Sequence, residues 1–316
     1  MELDAPGLVL LCGGLISALA PLGLQLNNTY GWGSVQLITP LVVGVLTLAA
    51  FVYYELRLAT HPVVHIRLLK VRTFACAIMT AMLFFFAFNV SLFFFTPYIQ
   101  VTRDVSARTA MLLQQGTTGY YIGLFIGGWA MQVTKRYRRW AWLGWSLSLV
   151  AVCLMLRSRG TSSVTNAEIA AVQAILGIGG GIIVGCSGIG VQASVAKPDL
   201  SIAITLYSMV EFVGGVLGEA VSTTIWVNIL PTKLDGRMNG SVDIDSAINN
   251  ITYYAELPTD QRAIVQDGYI ATQKILIICG ICSISLAAVA MLGLAPYDLS
   301  VASDQDEETK NIVESE

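Results

Sequence analysis

Charged residues are scarce in this 316-residue sequence, since only 12% of its residues are Asp, Glu, Lys or Arg. Soluble globular domains carry about 25% charged residues, so this chain cannot cover a water-facing surface with charge. Its net charge of −3 provides no basic field, which argues against nucleic acid as a partner. The composition therefore excludes a disordered protein or an ordinary cytosolic enzyme, and it favours a lipid bilayer as the partner that surrounds the chain.

Reactive side chains are also scarce. The only two histidines, His61 and His65, have no third metal ligand near them in the sequence. All six cysteines lie within apolar runs, where a small buried side chain is their usual role. Because no catalytic or metal-binding constellation is visible, we expect no enzyme activity, no bound metal and no organic cofactor.

Long apolar runs, by contrast, are abundant. A transmembrane helix needs about 20 apolar residues, whereas a transmembrane barrel would show alternating segments of about 10 residues. The continuous runs here predict an all-α, polytopic transmembrane bundle of about eight spans. We place these spans at 7–26, 35–55, 73–100, 108–133, 140–156, 168–195, 201–229 and 273–294.

The connections between the spans predict the orientation of the chain. If every span crosses, nine Lys or Arg residues lie in short connections on one side and four on the other. The positive-inside rule makes the first side cytoplasmic, together with both termini. The long connection 231–273 then lies outside, and it contains two N-glycosylation sequons, at Asn239 and Asn250. The acidic tail 296–316 is predicted to be disordered and cytoplasmic.

Polar residues within the spans are the candidate functional groups. Ionisable side chains inside a membrane are costly, so Glu211 and Glu219 are candidates for proton coupling. Uncharged polar groups that are candidates for contacting a substrate are Asn89, Tyr98, Gln100, Gln114, Gln115, Tyr120, Tyr121, Gln173 and Gln192. The alternative for each is structural: a protonated glutamate bonded to a neighbouring helix, or an interhelical hydrogen bond worth about 0.6 kcal/mol.

Glycines four residues apart recur in three spans, and this spacing lets helix backbones approach closely. The pairs are Gly123 with Gly127, Gly177 with Gly181 and then Gly185, and Gly214 with Gly218. They predict close helix packing, either at a moving interface or at a static one.

Several motifs carry a resemblance to a known family. They are Leu3–Leu8, Gly31–Ser34, Tyr98–Val101, the basic loop Thr134–Trp140, Gly177–Gly181 with Gly190–Val195, and Ile225–Pro231. Through them the chain resembles the C-terminal half of fourteen-span major facilitator transporters of fungi, in the siderophore-iron transporter family. Two features depart from the family pattern: Lys135 stands where a glycine is expected, and Glu211 and Glu219 stand where residues are mostly uncharged.

The resemblance implies an organisation for the chain. Residues 1–56 would be two linking transmembrane helices, 57–72 a basic cytoplasmic loop and 73–295 the C-terminal six-helix half, followed by the tail 296–316. The protein would be truncated at its N-terminus, with the missing half as a possible partner. Aromatic side chains of the long outside loop that would contact ligand at the entrance are Tyr253, Tyr254 and Tyr269.

The resemblance also implies a function: uptake of a ferric siderophore by alternating access, driven by the proton gradient, at the plasma membrane or an endosomal or vacuolar membrane. Two alternatives stay open. One is a drug:proton antiporter of the same superfamily. The other is a truncated membrane protein that does not transport and instead modulates a complete transporter.

Glycosylation provides a test of the predicted orientation. In a eukaryotic host, treatment with an endoglycosidase should increase the electrophoretic mobility of the protein, and the Asn239→Gln/Asn250→Gln variant should lack this response. Asn89→Gln is the matched control, because the sequon at Asn89 lies within a predicted span and should carry no glycan. Unchanged mobility of the wild-type protein after treatment would contradict an outside position for the 231–273 connection.

Overall fold

The fold is a bundle of helices, seen in a computed structural model that describes residues 5–24, 34–57, 66–159, 164–235, 237, 254 and 256–297. Within these ranges no strand occurs. In chain order the helices are α1 Ala5–Leu24, α2 Val35–Arg57, α3 Ile66–Leu69, α4 Arg72–Leu92, α5 Phe95–Arg103, α6 Ala107–Leu113, α7 Gly116–Thr134, α8 Tyr137–Ser158, α9 Asn166–Ser194, α10 Leu200–Leu234 and α11 Thr259–Leu292.

A long helix lies at each of the eight predicted spans, so the all-α transmembrane prediction is confirmed. In the described ranges, six segments are long and apolar enough to cross a membrane: Val35–Arg57, Arg72–Arg103, Tyr137–Ser158, Asn166–Ser194, Lys197–Leu234 and Thr259–Leu292. Helix α1 is apolar over the shorter stretch Pro6–Pro21. Large apolar side chains remain on the outer surface, such as Val9, Leu46 and Phe125, as a lipid environment requires. The chain is an integral membrane protein.

Two predicted spans are interrupted. The helix across 73–100 breaks at Phe93 and Phe94, because Pro97 has no N–H and its ring would clash with the carbonyl group four residues earlier. The predicted span 108–133 is α6 followed by α7, with Gln114 and Gln115 between them. There the Gln115 side chain donates a hydrogen bond to the Leu112 carbonyl (2.6 Å) and helps to end α6.

The long connection is shorter than predicted. Residues 231–234 continue α10, and α11 begins at Thr259, so the bounds 231–273 were wrong at both ends. The first turns of α11 are too polar to suggest a span, but Val265, Tyr269 and Leu276 pack in a core cluster with Leu230. Packing against other helices, rather than contact with lipid, supports these first turns of α11. A hydropathy pattern does not detect such packing.

Contacts between connections show which of them share an end of the bundle. At one end, Arg67 and Asp199 form an ion pair (2.5 Å), and the Tyr137 hydroxyl donates to the Ala295 carbonyl. We call this the basic end. At the other end, which we call the loop end, the Tyr98 hydroxyl donates to the Arg159 carbonyl (2.8 Å). The sides predicted from charge agree with this grouping; which end faces the cytoplasm stays a prediction.

Glycines hold the helices together, which confirms the predicted close packing. Helix α9 is central: its Gly177 and Gly181 lie against the backbone of α7, whose Gly119 and Gly123 lie against the backbone of α9 in return. A Cβ atom at Gly123 would overlap the Ile178 carbonyl, so no larger residue fits without separating the helices. We call these four residues the glycine seam.

A second pair of close approaches joins α10 to α4. Cβ atoms at Gly214 and Gly218 would collide with the carbonyl oxygens of Met82 and Phe86. Helix α10 is therefore fixed against α4 in register, as α7 is fixed against α9. Packing between backbones replaces the hydrophobic effect as the main source of helix association inside a bilayer.

The turn between α7 and α8 explains the departure at Lys135. This residue adopts the left-handed conformation (φ 54°), which glycine adopts without strain and a lysine adopts at a cost. The turn expected from a glycine is therefore retained.

Replacing glycine in the seam should destabilise the bundle. We expect Gly123→Ala to cost about 1–3 kcal/mol of unfolding free energy, because the added methyl group must displace the Ile178 backbone. Gly128→Ala is the matched control on the same helix, since a Cβ there meets nothing within 4 Å. Thermal unfolding of the detergent-solubilised protein measures both. Equal midpoints for the two variants would contradict the seam.

Candidate functional site

The candidate site lies where α4, α7, α9 and α10 meet. Glu211 of α10 is half-buried, and the hydroxyl group of Tyr120, on α7, lies close enough to its carboxyl group to interact with it electrostatically. Tyr207, one turn before Glu211, is buried and donates to the Val184 carbonyl on α9 (2.9 Å). Tyr207 also lies close enough to Glu211 and Tyr120 to interact with both electrostatically. The Glu211 carboxyl group thus lies near two phenols, one from the preceding turn of α10 and one from α7.

The glycines place these side chains. Tyr120 lies between Gly119 and Gly123 of the seam, and Glu211 lies three residues before Gly214, one helical turn away on the same face. Moving either interface by the width of a methyl group would separate the hydroxyl from the carboxyl group. The site therefore lies beside close contacts between helix backbones.

Aromatic rings form the neighbouring wall. Phe85 meets the Tyr120 ring edge to face at 5.6 Å, and Phe88 lies at 6.4 Å from it. Asn89 lies beside them and packs against Gly215, one turn after Glu211; its amide donates to the Phe85 carbonyl (3.0 Å). This wall can therefore offer a ligand one polar group, the Asn89 amide oxygen, and one apolar surface, the Tyr120 ring.

Glu219, the second proton-coupling candidate, is half-buried and lies two turns beyond Glu211 on α10. The residues eight apart were expected to face different directions, displaced by about 80° around the helix. Tyr120 interacts electrostatically with Glu211, and the cluster described above forms around that residue. Of the predicted residues, the structure therefore brings together Asn89, Tyr120 and Glu211.

The remaining substrate-contact candidates lie elsewhere. Tyr98, Gln100, Gln114 and Gln115 are at the loop end, where the Thr96 hydroxyl donates to the Gln114 side chain (3.1 Å). Tyr121 is 65% exposed on the outer surface of α7, and Gln192 is exposed near the end of α9. Gln173 is buried in the bundle, and neither polar atom of its amide has a hydrogen-bond partner among the described residues.

Two of the three loop tyrosines are buried rather than available at an entrance. The Tyr254 hydroxyl donates to the Val101 carbonyl (3.0 Å), and burial raises the pKa of this phenol above its ordinary value. Tyr269 is 1% exposed and meets the Trp226 ring edge to face. Both rings hold the loop end together. Tyr253 and the sequon residues Asn239 and Asn250 lie outside the described residues.

Two side chains have roles that the sequence does not indicate. Tyr207 carries no signal in the sequence, because a phenol in an apolar span is compatible with many roles. Arg159, which was counted as a water-facing loop charge, is 1% exposed. Its guanidinium lies 4.9 Å from the centre of the Phe95 ring and donates to the Ser91 carbonyl (2.6 Å). This buried cation ties the end of α8 to the break between α4 and α5.

Mutation can test whether Tyr98 has a structural role, because its hydroxyl donates a hydrogen bond to the Arg159 carbonyl at the loop end. We expect Tyr98→Phe to lower the unfolding free energy by about 1–3 kcal/mol, because a buried acceptor loses its donor. Tyr121→Phe removes an exposed hydroxyl and should leave the stability unchanged. Thermal unfolding of the two variants compares them, and an unaltered midpoint for Tyr98→Phe would show that this hydroxyl has no structural role.

No profile of a known protein family matches the chain. Curated proteins do match. MFS siderochrome iron transporter C of Aspergillus fumigatus is 30% identical over 95% of this chain and 49% of its own length. Siderophore iron transporter mirC of Emericella nidulans is 28% identical over 97% of this chain and 52% of its own length. This chain therefore spans about half the length of the curated relatives it matches.

A solved structure gives the fold independently. A bacterial homologue of the human lysosomal transporter Spinster, in an inward-facing and occupied conformation, superposes with a TM-score of 0.57. The superposition covers 90% of this chain and 66% of that one, at 16% sequence identity. The fold is of the major facilitator type. The chain is similar to fungal siderophore-iron transporters over 95–97% of its length, which confirms the resemblance carried by the motifs.

Proposed function

We propose that this chain forms the C-terminal half of a proton-coupled transporter that takes up ferric siderophores by alternating access. The observation that carries the proposal is the Glu211 carboxyl group beside the Tyr120 hydroxyl, within a chain similar to siderophore-iron transporters. Major facilitator transporters bind substrate near the membrane midplane between two halves. The transporter would reside in the plasma membrane or in an endosomal or vacuolar membrane.

The pair can couple a proton to a helix movement. A charged carboxylate is costly inside a membrane, and the cost falls when the site opens to water. Protonation of Glu211 is therefore linked to whether the site is open or closed. Because Tyr120 is on α7 and Glu211 is on α10, a proton on the carboxyl group also changes the electrostatic interaction between these two helices.

The neighbouring wall suits a chelated metal ion as substrate. A ferric siderophore encloses the iron in an organic ligand. A protein therefore contacts the polar and apolar groups of that ligand rather than a bare cation. Asn89 offers an amide, and Phe85 and Tyr120 offer ring surfaces, with no metal-ligating cluster in the described residues. Such a wall would contact the chelator and leave the iron within it.

Uptake by a chimera tests the proposal. This chain replaces the matching C-terminal half of the Aspergillus fumigatus relative, and iron-starved yeast cells expressing the chimera receive ferric siderophore labelled with radioactive iron. We expect saturable uptake that a protonophore abolishes. Glu211→Gln should reduce uptake by about 100-fold or more, because the side chain keeps its size but cannot exchange a proton.

Glu168→Gln is the matched control, since this glutamate is exposed at the first turn of α9. It should transport like the unmodified chimera. Absence of iron uptake together with a gain of drug resistance would instead identify a drug:proton antiporter. Uptake by Glu211→Gln at the level of the control would contradict proton coupling through this residue.

A further inference from the structure

The basic end contains cavities that the transport site does not use. One of about 520 Å³ is lined by Arg136, Arg138, Arg139, Trp142, Pro296 and Tyr297. A second of about 580 Å³ shares Arg136 and Arg139 and is completed by Thr134, Trp140 and Leu143. Volumes of this order accommodate a small ligand. We call the two together the arginine cavities.

The described residues that line the cavities carry charge of one sign. Three guanidinium groups are among them, and within the described part of the chain no carboxylate joins them. Arg138 also lines a third, adjoining cavity with Arg72. Guanidinium groups bind phosphate oxygens through paired N–H donors, so the chemistry favours a phosphate-bearing anion.

The walls are rigid. The Trp140 indole N–H donates to the Thr134 hydroxyl (2.9 Å), and Trp142 meets Trp145 edge to face at 5.5 Å. Tyr137, the first residue of α8, is buried and donates to the Ala295 carbonyl, which fixes the segment that carries Pro296 and Tyr297. The arginines therefore extend from a fixed frame of aromatic side chains of the kind found at membrane–water boundaries.

An apolar stripe continues from the cavities along α8. Leu143 lines the second cavity and is 43% exposed, and Val150 and Leu154 are exposed further along the helix. Residues 7 and 11 positions apart lie on nearly the same face of a helix. A cationic cavity at the membrane boundary thus leads directly onto an apolar surface within the membrane. A phospholipid has this arrangement, with an anionic head group attached to acyl chains.

We propose that the arginine cavities bind the head group of an anionic phospholipid of the adjacent leaflet, with its acyl chains along Leu143, Val150 and Leu154. The predicted cytoplasmic position of this end places it in the leaflet that carries phosphatidylserine and phosphoinositides. The acyl-chain stripe distinguishes a lipid from a soluble phosphate or an acidic peptide, because those ligands have nothing to place on it.

Native mass spectrometry of the purified full chain tests this inference without any transport. Phosphatidylserine and phosphatidylcholine with identical acyl chains are titrated separately, and the retained lipid is counted. We expect phosphatidylserine to bind more tightly, and the Arg136→Gln/Arg138→Gln/Arg139→Gln variant to lose about tenfold or more of that affinity. Glycerophosphoserine, which lacks acyl chains, should fail to displace the lipid.

The matched control is Arg108→Gln/Arg157→Gln/Arg237→Gln, which removes three exposed arginines away from the cavities. It should bind phosphatidylserine like the wild type. A triple lysine variant at 136, 138 and 139 should bind phosphatidylserine more tightly than the glutamine variant but less tightly than the wild type, because it keeps the charge and loses the paired N–H donors. Equal losses in the glutamine variant and the control, or displacement by glycerophosphoserine, would overturn the proposal. So would binding that appears only after the acidic residues of the tail are neutralised, since the tail would then be the occupant.

Discussion

Contact between helix backbones at glycine sets how the helices of this bundle lie against one another. In a bilayer, lipid chains are as apolar as leucine, so burial of apolar side chains gives little reason for helices to associate. The seam formed by Gly119, Gly123, Gly177 and Gly181 supplies close packing instead, and it fixes α7 against α9. Similar approaches at Gly214 and Gly218 fix α10 against α4. The result is a frame in which small displacements are costly.

The candidate transport site uses this frame twice. Tyr120 lies within the seam, and Glu211 lies one turn from the α4–α10 contact, so the two glycine interfaces bring a phenol and a carboxyl group together. The loop end is held differently, by hydrogen bonds of Tyr98 and Tyr254 to backbone carbonyls and by the buried Arg159 guanidinium. The basic end carries unburied guanidinium groups beside aromatic rings. Each region thus combines a rigid support with a distinct polar chemistry.

The sequence predicted the parts of the fold that depend on local pattern. Apolar length predicted the helices, glycine spacing predicted the close approaches, and loop charge predicted which connections share an end. It failed where distant residues decide: the first turns of α11 are supported by Tyr269 packing on Trp226, and Arg159 is buried because Phe95 and Ser91 lie around it. For the site, membrane burial of charge indicated Glu211, but only the helix packing selects Tyr120 as its partner and brings in Tyr207.

If the cluster of Asn89, Tyr120 and Glu211 faces the transported substrate, a cryo-electron microscopy structure of the chimera with a bound ferric siderophore should show this contact. We expect the chelator within about 4 Å of the Asn89 amide or the Tyr120 ring, between the two halves of the transporter. A chelator bound away from α4, α7 and α10, or a Glu211 side chain facing lipid in the assembled transporter, would contradict it.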